Sequence, residues 1–369
     1  MIKKILIKND FFWPIVYIPF FLSLIGLIFI FEASAIRAAN QYYDSLHFLK
    51  AQLLWLIIGL IVMFIFSLID YKKLYFLSLS SMIITFFLLM IVLLPGIGFK
   101  AGGARRWIDF GFFSLQPTEL AKFSIIIYLS SWFINKEKRT FLSFLTLIGL
   151  LEFLIILQPD VGTAIIVFLL SLIIYYQAGM NLLYLMALLP IAFFGFFILI
   201  KSAPYRLARL MAFFNPSIDP QGIGYHINQI FISLSQGGFF GQGFGASRQK
   251  YLFLPEAHTD SIFAIIAEEF GFLGSVILIF FYLFFIYKIY HIIKLAPDRL
   301  SKLLSTGIFA FFNLQIIVNL AGMVGLFPLT GVPLPFLSYG GSNLIISFAL
   351  IGVLLNIEKK VKVIKSMKS

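Results

Sequence analysis

The chain has 369 residues, 61% of them hydrophobic and 12% charged, and its mean hydropathy is +1.00. An ordinary soluble domain is about 25% charged, so a water-soluble globular fold is excluded and an all-α polytopic membrane protein is indicated. There is no cysteine, which removes disulfides, thiolate metal sites and cysteine nucleophiles. The net charge of +12 would suit a nucleic-acid binder, but the placement of the basic residues assigns it to membrane topology, and no nucleic-acid partner is expected.

Apolar runs of about 17 residues or more recur from end to end. They predict ten spans, at 12–35, 49–69, 74–95, 118–134, 141–157, 161–177, 182–201, 261–287, 303–326 and 338–357. The first has basic flanks, is too long for a signal-peptide core and lacks a small-residue cleavage site, so it is read as an uncleaved anchor. With Lys3, Lys4 and Lys8 inside, the pairs Lys72/Lys73 and Lys136/Lys138 and the group Lys288, Lys294, Arg299 and Lys302 also fall inside. Both termini are then cytoplasmic by the positive-inside rule. The whole chain reads as one integral-membrane domain with a large outer loop at about 202–260 and a solvated basic tail at 358–369, which suits anionic lipid.

Most of the remaining basic residues lie in two outer segments, Lys100–Lys122 and Lys201–Lys250. Retained on the side that disfavours them, they point to an anionic ligand. Lipid-linked phosphate or pyrophosphate fits, because arginine forks match phosphate oxygens; contact with lipid head groups or local ion pairing is the alternative. The first segment carries Arg105 and Arg106 after Gly102-Gly103, then Pro117, which suits the first turn of a helix. Glu119 and Lys122, three residues apart, share a face of that helix and can neutralise each other. Lys122 nonetheless enters an apolar span, where a charge is rarely kept without use.

Gln158-Pro159-Asp160 is a further outer element between two spans. The loop 202–260 contributes Arg206, Arg209, Glu256, His258 and finally Asp260 at the start of an apolar helix. Glu268 and Glu269 follow eight and nine residues later, roughly 12 Å deeper at 1.5 Å per residue. Carboxylates there are expected to face a cavity or the bundle interior. From Pro328 to Ser342, three prolines, Ser338 and Gly340-Gly341 exclude a continuous helix. Irregular backbone at membrane depth survives only when buried in protein or lining a wet cavity. The outer segments are therefore expected to converge over one cavity.

Other signals are discounted. Gly238, Gly241, Gly243 and Gly245 superficially resemble a dinucleotide loop, but no strand precedes them, so neither nucleotide nor haem is expected. His47, His226, His258 and His291 lack zinc-ligand spacing. Glu32 and Glu152 are apolar-span carboxylates with no evident partner.

Four strings in order, Arg-Arg-Trp-Ile-Asp…Gln-Pro-Thr-Glu-Leu-Ala-Lys (105–122), Gln-Pro-Asp-Val-Gly-Thr-Ala (158–164), Leu-Pro-Glu-Ala-His-Thr-Asp (254–260) and Pro-Leu-Pro-Phe-Leu-Ser-Tyr-Gly-Gly-Ser (333–342), resemble the SEDS family of bacterial cell-wall proteins. The segments 206–209, 245–250 and 257–260 are more similar to the division branch of that family than to its elongation branch. The resemblance implies a peptidoglycan glycosyltransferase that polymerises lipid II on the outer face of the cytoplasmic (inner) membrane. It also implies divalent-metal dependence (Mg²⁺ or Mn²⁺), a class B penicillin-binding transpeptidase as partner, and other divisome components. On this resemblance Asp260 matches the family's essential aspartate, Arg106 and Lys122 its basic positions, and Glu256 its Pro-Glu acid. Departures are Ser261 where phenylalanine is usual, His226 where glutamine is common, and Asn343 where a second serine is usual. Asp260 is expected to act as general base, or to orient the hydroxyl or a metal ion, while Arg106 and Lys122, with Arg206 or Arg209, hold the pyrophosphate. A lipid II flippase and a recruiting scaffold are the competing readings. The short, bland inner loops and the lack of an inverted repeat weigh against transport.

Overall fold

The computed structural model describes residues 13–101, 104–111, 114–138, 140–201, 203–216 and 222–367. The expected basic cluster Lys3, Lys4 and Lys8, the pair Gly102-Gly103, and Arg139 lie outside the described residues. Backbone polar groups in lipid must be satisfied within their own segment, so the apolar runs fold as helices and each predicted span is matched by one. These are α1 (Trp13–Tyr42), α2 (His47–Leu68), α3 (Leu74–Ile91), α4 (Pro117–Trp132), α5 (Phe141–Leu157), α6 (Val161–Gln177) and α7 (Leu182–Lys201). Within the outer loop follow α8 (Pro204–Phe214) and α9 (Ile223–Gly237), and then come α10 (Ile262–Leu295), α11 (Arg299–Met323) and α12 (Gly341–Met367).

Among the described residues, five stretches are long and apolar enough to cross a bilayer: Pro14–Tyr42, His47–Leu68, Tyr71–Ile91, Ile262–Leu295 and Arg299–Met323; α5 and α6 are shorter apolar helices. Phe76, Leu142, Ile191 and Phe280 stand exposed on helix flanks. Large apolar surface of this kind faces lipid in a multi-pass membrane protein.

Polar residues set the helix ends. Asp160 accepts from Thr163 N (3.2 Å) at the start of α6, and Asp298 accepts from Ser301 N (2.8 Å) in a capping box that opens α11. The centre is α4, buried along nearly its whole length and packed against α3, α6, α11 and α12. Before α4 the chain adds a feature that the glycine-turn pattern alone did not predict. Strands β1 (Gly98–Ala101), β2 (Ala104–Asp109) and β3 (Ser114–Leu115) form a small antiparallel sheet, with Phe99 opposite Trp107 and Ile108 opposite Leu115.

At the opposite end of the bundle, Arg299 donates to Ala178 O (2.9 Å) and Tyr71 N to Asn356 Oδ1 (2.9 Å). The tail departs from the expected solvated end. α12 continues to Met367, Glu358 is buried, Lys359 donates to Ser67 O (3.3 Å) and Lys360 pairs with Asp70. Carbonyls and a carboxylate at the end of α2 attract the ammonium groups, so this part of the basic segment packs as helix.

The glutamates of α10 are buried in the protein interior, the second of the two expected settings, and do not face a cavity. Gly245 N (3.0 Å) and Ser247 N (3.2 Å) donate to Glu269, and Ser247 Oγ (2.6 Å) and Arg248 N (2.9 Å) donate to Glu268. Lys250 Nζ lies 3.2 Å from Glu269 and 3.5 Å from Glu32, which supplies the partner not evident for Glu32. The carboxylates thus anchor the loop 245–250, because its backbone amides need acceptors once they are buried.

Just beyond, α10 is interrupted at Gly271 (φ +65°, ψ −162°). The loop satisfies the broken helix: Gln242 N and Gly243 N donate to the carbonyls of Glu268 and Glu269, each at 3.0 Å, and Phe272 N and Leu273 N donate to those of Gly238 and Phe239 at 2.9 and 3.1 Å. A Cβ on Gly241, which sits at φ +84°, would overlap Glu269 O. The glycine run therefore permits close backbone approach to α10. Gly241→Ala is expected to destabilise the protein by about 2 kcal/mol or more, read as a lowered unfolding midpoint in detergent; an unchanged midpoint would refute this docking.

Candidate active site

The outer segments do converge. Arg106 on β2 donates to Gln158 O (3.2 Å) and to Pro159 O. Gln116 Nε2 lies 3.4 Å from Asp160 Oδ2, and Ser342 Oγ is hydrogen-bonded to both Gln116 N (3.1 Å) and Ser114 O (3.3 Å). Gly162 packs against Thr330, and Tyr339 N donates to His258 O (2.9 Å). The proline-rich segment 328–342 is the hub, since it touches the sheet, the start of α6 and the end of the outer loop.

Asp260 lies beneath this hub. Asn319 Nδ2 on α11 reaches both Asp260 O and Val332 O at 2.8 Å, fixing the aspartate's backbone to the hub. The Thr259 hydroxyl is 3.1 Å from Asp260 Oδ1 and 3.0 Å from Glu256 Oε2, so the two carboxylates share one proton donor. Burial, reinforced by the charge of Glu256, pushes the Asp260 carboxyl up to about 6. The charge of Arg209 on α8 acts weakly in the opposite sense. A carboxylate with this pKa is poised to take up a proton near neutral pH. Burial pushes the imidazoles of His226 and His258 down to about 4, partly opposed by Glu256, so both are neutral at pH 7.

Two cavities flank this group. A cavity of about 10 Å³, room for roughly one water, lies at Asp260 against Asn319, Gly331 and Val332. A cleft of about 330 Å³ opens between α1 and the loop 250–258, lined by Arg37, Gln41, Lys250, Glu256 and His258 among others. Arg37 lies 3.6 Å from Glu256 across it.

The predicted residues fall into three groups. Asp260, Glu256 and His258 line the two cavities, Arg209 acts on Asp260 through its charge, and Arg206 lies on the same helix as Arg209 at helical spacing. Arg106, Gln158 and Asp160 form the second group. Arg105, next to Arg106 on a strand, points to the opposite face. The third group is Glu119 and Lys122, 2.6 Å apart and almost inaccessible, with Asn343 donating to Glu119 Oε2 (3.0 Å) and to Gln315 Oε1 (2.9 Å). This pair lies inside the bundle, and Lys122 is neutralised there. Ser338 is structural in its contacts: its hydroxyl accepts from Leu334 N (2.9 Å) and its carbonyl from Gln52 Nε2 (3.3 Å).

Sequence reasoning passed over Arg37, Gln52, Thr259, Gln315 and Asn319. Single amides inside apolar runs were the available signal for Gln52, Gln315 and Asn319, because a buried amide requires partners.

The chain matches the cell cycle protein family of FtsW, RodA and SpoVE over residues 13–363. It is 38% identical to the stage V sporulation protein E of Bacillus subtilis, over 94% of this chain and 96% of that protein. It is 37% identical to the probable peptidoglycan glycosyltransferase FtsW of Trichlorobacter lovleyi, over 92% of this chain and 91% of that protein. Its fold is similar to that of the rod shape determining protein RodA of Thermus thermophilus (TM-score 0.70, 24% identity, 95% of this chain and 98% of that one). It is also similar to a chain of a peptidoglycan synthase complex described for coordinating polymerization and crosslinking (TM-score 0.75, 24% identity, 96% and 99% coverage). Motifs, fold and relatives agree, and the FtsW-named relative accords with the division-branch resemblance: the chain belongs to the FtsW/RodA/SpoVE family of cell cycle proteins.

Proposed function

We propose that this protein is a peptidoglycan glycosyltransferase that polymerises lipid II, with Asp260 as the general base. The observation that supports it best is the convergence of the outer segments on one buried carboxylate whose pKa is raised to about 6. The 4-hydroxyl of the acceptor sugar attacks the anomeric carbon of the donor, the bond to the lipid pyrophosphate breaks, and the hydroxyl proton passes to Asp260. The donor is α-linked and the product β-linked, so one inverting displacement suffices. Arg106, whose guanidinium is steered by neutral carbonyls, keeps its charge for the departing pyrophosphate, and Arg209 lies near the attacking side. Arg206, Gln158, Asp160 and His258 border the same region, whereas Arg105 faces away from it. Glu119 and Lys122 act from beneath it, through the Asn343 link to α12.

A divalent cation, Mg²⁺ or Mn²⁺, is compatible with these residues. Among the described residues no group of three His, Cys, Asp or Glu forms an all-protein cage, but Mg²⁺ is commonly held by one or two carboxylates plus substrate phosphates. Glu256 and Asp260, which share the Thr259 hydroxyl, would hold it, and it would neutralise charge on the pyrophosphate. A chelator is expected to stop polymerisation and added Mg²⁺ or Mn²⁺ to restore it; full activity in excess chelator would remove the metal from the scheme.

On this reading the multi-pass protein sits in the bacterial cytoplasmic (inner) membrane with both termini cytoplasmic and the active end outside, and works with a class B penicillin-binding transpeptidase and divisome components; the loop charges and the similarity to a chain of a peptidoglycan synthase complex support it. Labelled lipid II supplied to detergent-purified protein, with and without its transpeptidase, tests the function. Glycan ladders are expected. Their absence in both conditions, with transbilayer movement of lipid II in vesicles, would favour the flippase instead.

A further inference from the structure

His226 of the outer-loop helix α9 and Ser261, the residue after Asp260, meet in the fold. His226 Nε2 lies 2.7 Å from Ser261 Oγ, and Ser261 is fully buried immediately after Asp260. The backbone on either side of that peptide is already fixed, by Asn319 on Asp260 O (2.8 Å) and by Ser261 N on Glu256 O (3.2 Å). The His226 bond adds a side-chain tie from a different element. Helix α9 lies along the first turns of α10. Gly237 at its far end packs against Ala267 so closely that a Cβ there would overlap the Ala267 carbonyl. Ile230 and Ser233, on the same face as His226, are buried between these two anchors. The near end of α9, which faces Asp260, is held by the imidazole.

Building on the reading of Asp260 as the base, we propose that His226 is a positioning residue: through Ser261 it sets the placement of Asp260 and couples it to the outer-loop helix α9. His226 itself touches no reacting atom. The imidazole is neutral at pH 7, so it can accept from the serine hydroxyl or donate to it, and the tie does not depend on charge. Arg209 and Glu256 act electrostatically on both His226 and Asp260, so a shift of α8 or α9 on substrate docking would be felt at the carboxylate through groups already in place.

The test is a double-mutant cycle in polymerisation of labelled lipid II by the full-length protein, with Asp260→Asn alongside as the control for the base. Ser261→Ala and His226→Phe each remove the same bond. Each is expected to lower kcat roughly fivefold, the worth of one hydrogen bond, with KM little changed. The double variant should fall no further than either single one. His226→Gln, which can still bond the hydroxyl, should recover most of the loss relative to His226→Phe. Independent, multiplying losses, an unaltered kcat in Ser261→Ala, or an effect confined to KM would overturn the positioning role while leaving Asp260 as base. A wild-type protein that makes no ladder, or an active Asp260→Asn, would overturn both. Ser261→Ala only shortens a buried side chain, so it keeps the test valid even where His226→Phe fails to fold.

Discussion

Asp260→Asn should abolish polymerisation, with a loss of about 10²–10⁴-fold in turnover, the usual contribution of a positioned general base. The substitution keeps the shape of the side chain and an oxygen that can accept from the Thr259 hydroxyl, now 3.1 Å from Asp260 Oδ1. The backbone ties to Asn319 and through Ser261 N are untouched. What disappears is a group able to take the acceptor's proton. Folding and substrate binding are therefore expected to survive while kcat collapses. Measured by glycan ladders from labelled lipid II, wild-type yield from Asp260→Asn would remove Asp260 from the chemistry and leave the enzyme with another base.

The second large effect is structural. Glu269→Ala should destabilise the protein by about 3–5 kcal/mol, because it leaves a buried charge without a main partner. Lys250 Nζ loses its 3.2 Å contact and retains only the more distant Glu32 and the carbonyl of Gly245. The amides of Gly245 and Ser247 lose their acceptor at the same time. The loop 245–250 should detach from α10 and take the strand of backbone around Glu256 with it. A lowered unfolding midpoint in detergent, with faster proteolysis between 238 and 258, is the expected result. Glu269→Gln, which keeps acceptor oxygen, should lose much less. Equal stability of Glu269→Ala and wild type would show that the carboxylate is not the anchor of the loop.

These two glutamates show where sequence reasoning stopped. Ionisable groups within an apolar helix announce that something polar meets them, and that much was correct for Glu268 and Glu269. Their spacing from Asp260 could not tell whether the partner is a ligand or the chain itself. The answer depends on the loop 238–250 folding back onto α10 at the Gly271 break, a contact between segments about twenty to thirty residues apart, and periodicity carries no information about such a contact. The glycines were visible as glycines, but their purpose was set by carbonyls elsewhere in the fold. Glu119 and Lys122 are the converse. Their spacing on one helical face predicted mutual pairing, and they are paired at 2.6 Å. Their depth inside the bundle was decided by α11 and α12 closing over them with Gln315 and Asn343.

By itself the sequence determined the class of the molecule and the position of each apolar helix, though not of α8 and α9 in the outer loop, because apolar runs must become helices in lipid, and prolines, glycines and capping residues end them where they stand. Through their motifs it also singled out the outer segments that the fold brings together. Only the tertiary structure decided that Asp260 shares a proton donor with Glu256, that Asn319 ties it to the segment 328–342, that His226 reaches Ser261, and that Arg106 leans on the carbonyls of Gln158 and Pro159. Each of these joins groups from different elements or from a loop without periodicity. Their strength comes from burial, which raises the cost of every unpaired polar atom and makes the pairing specific, and burial is a property of the assembled bundle.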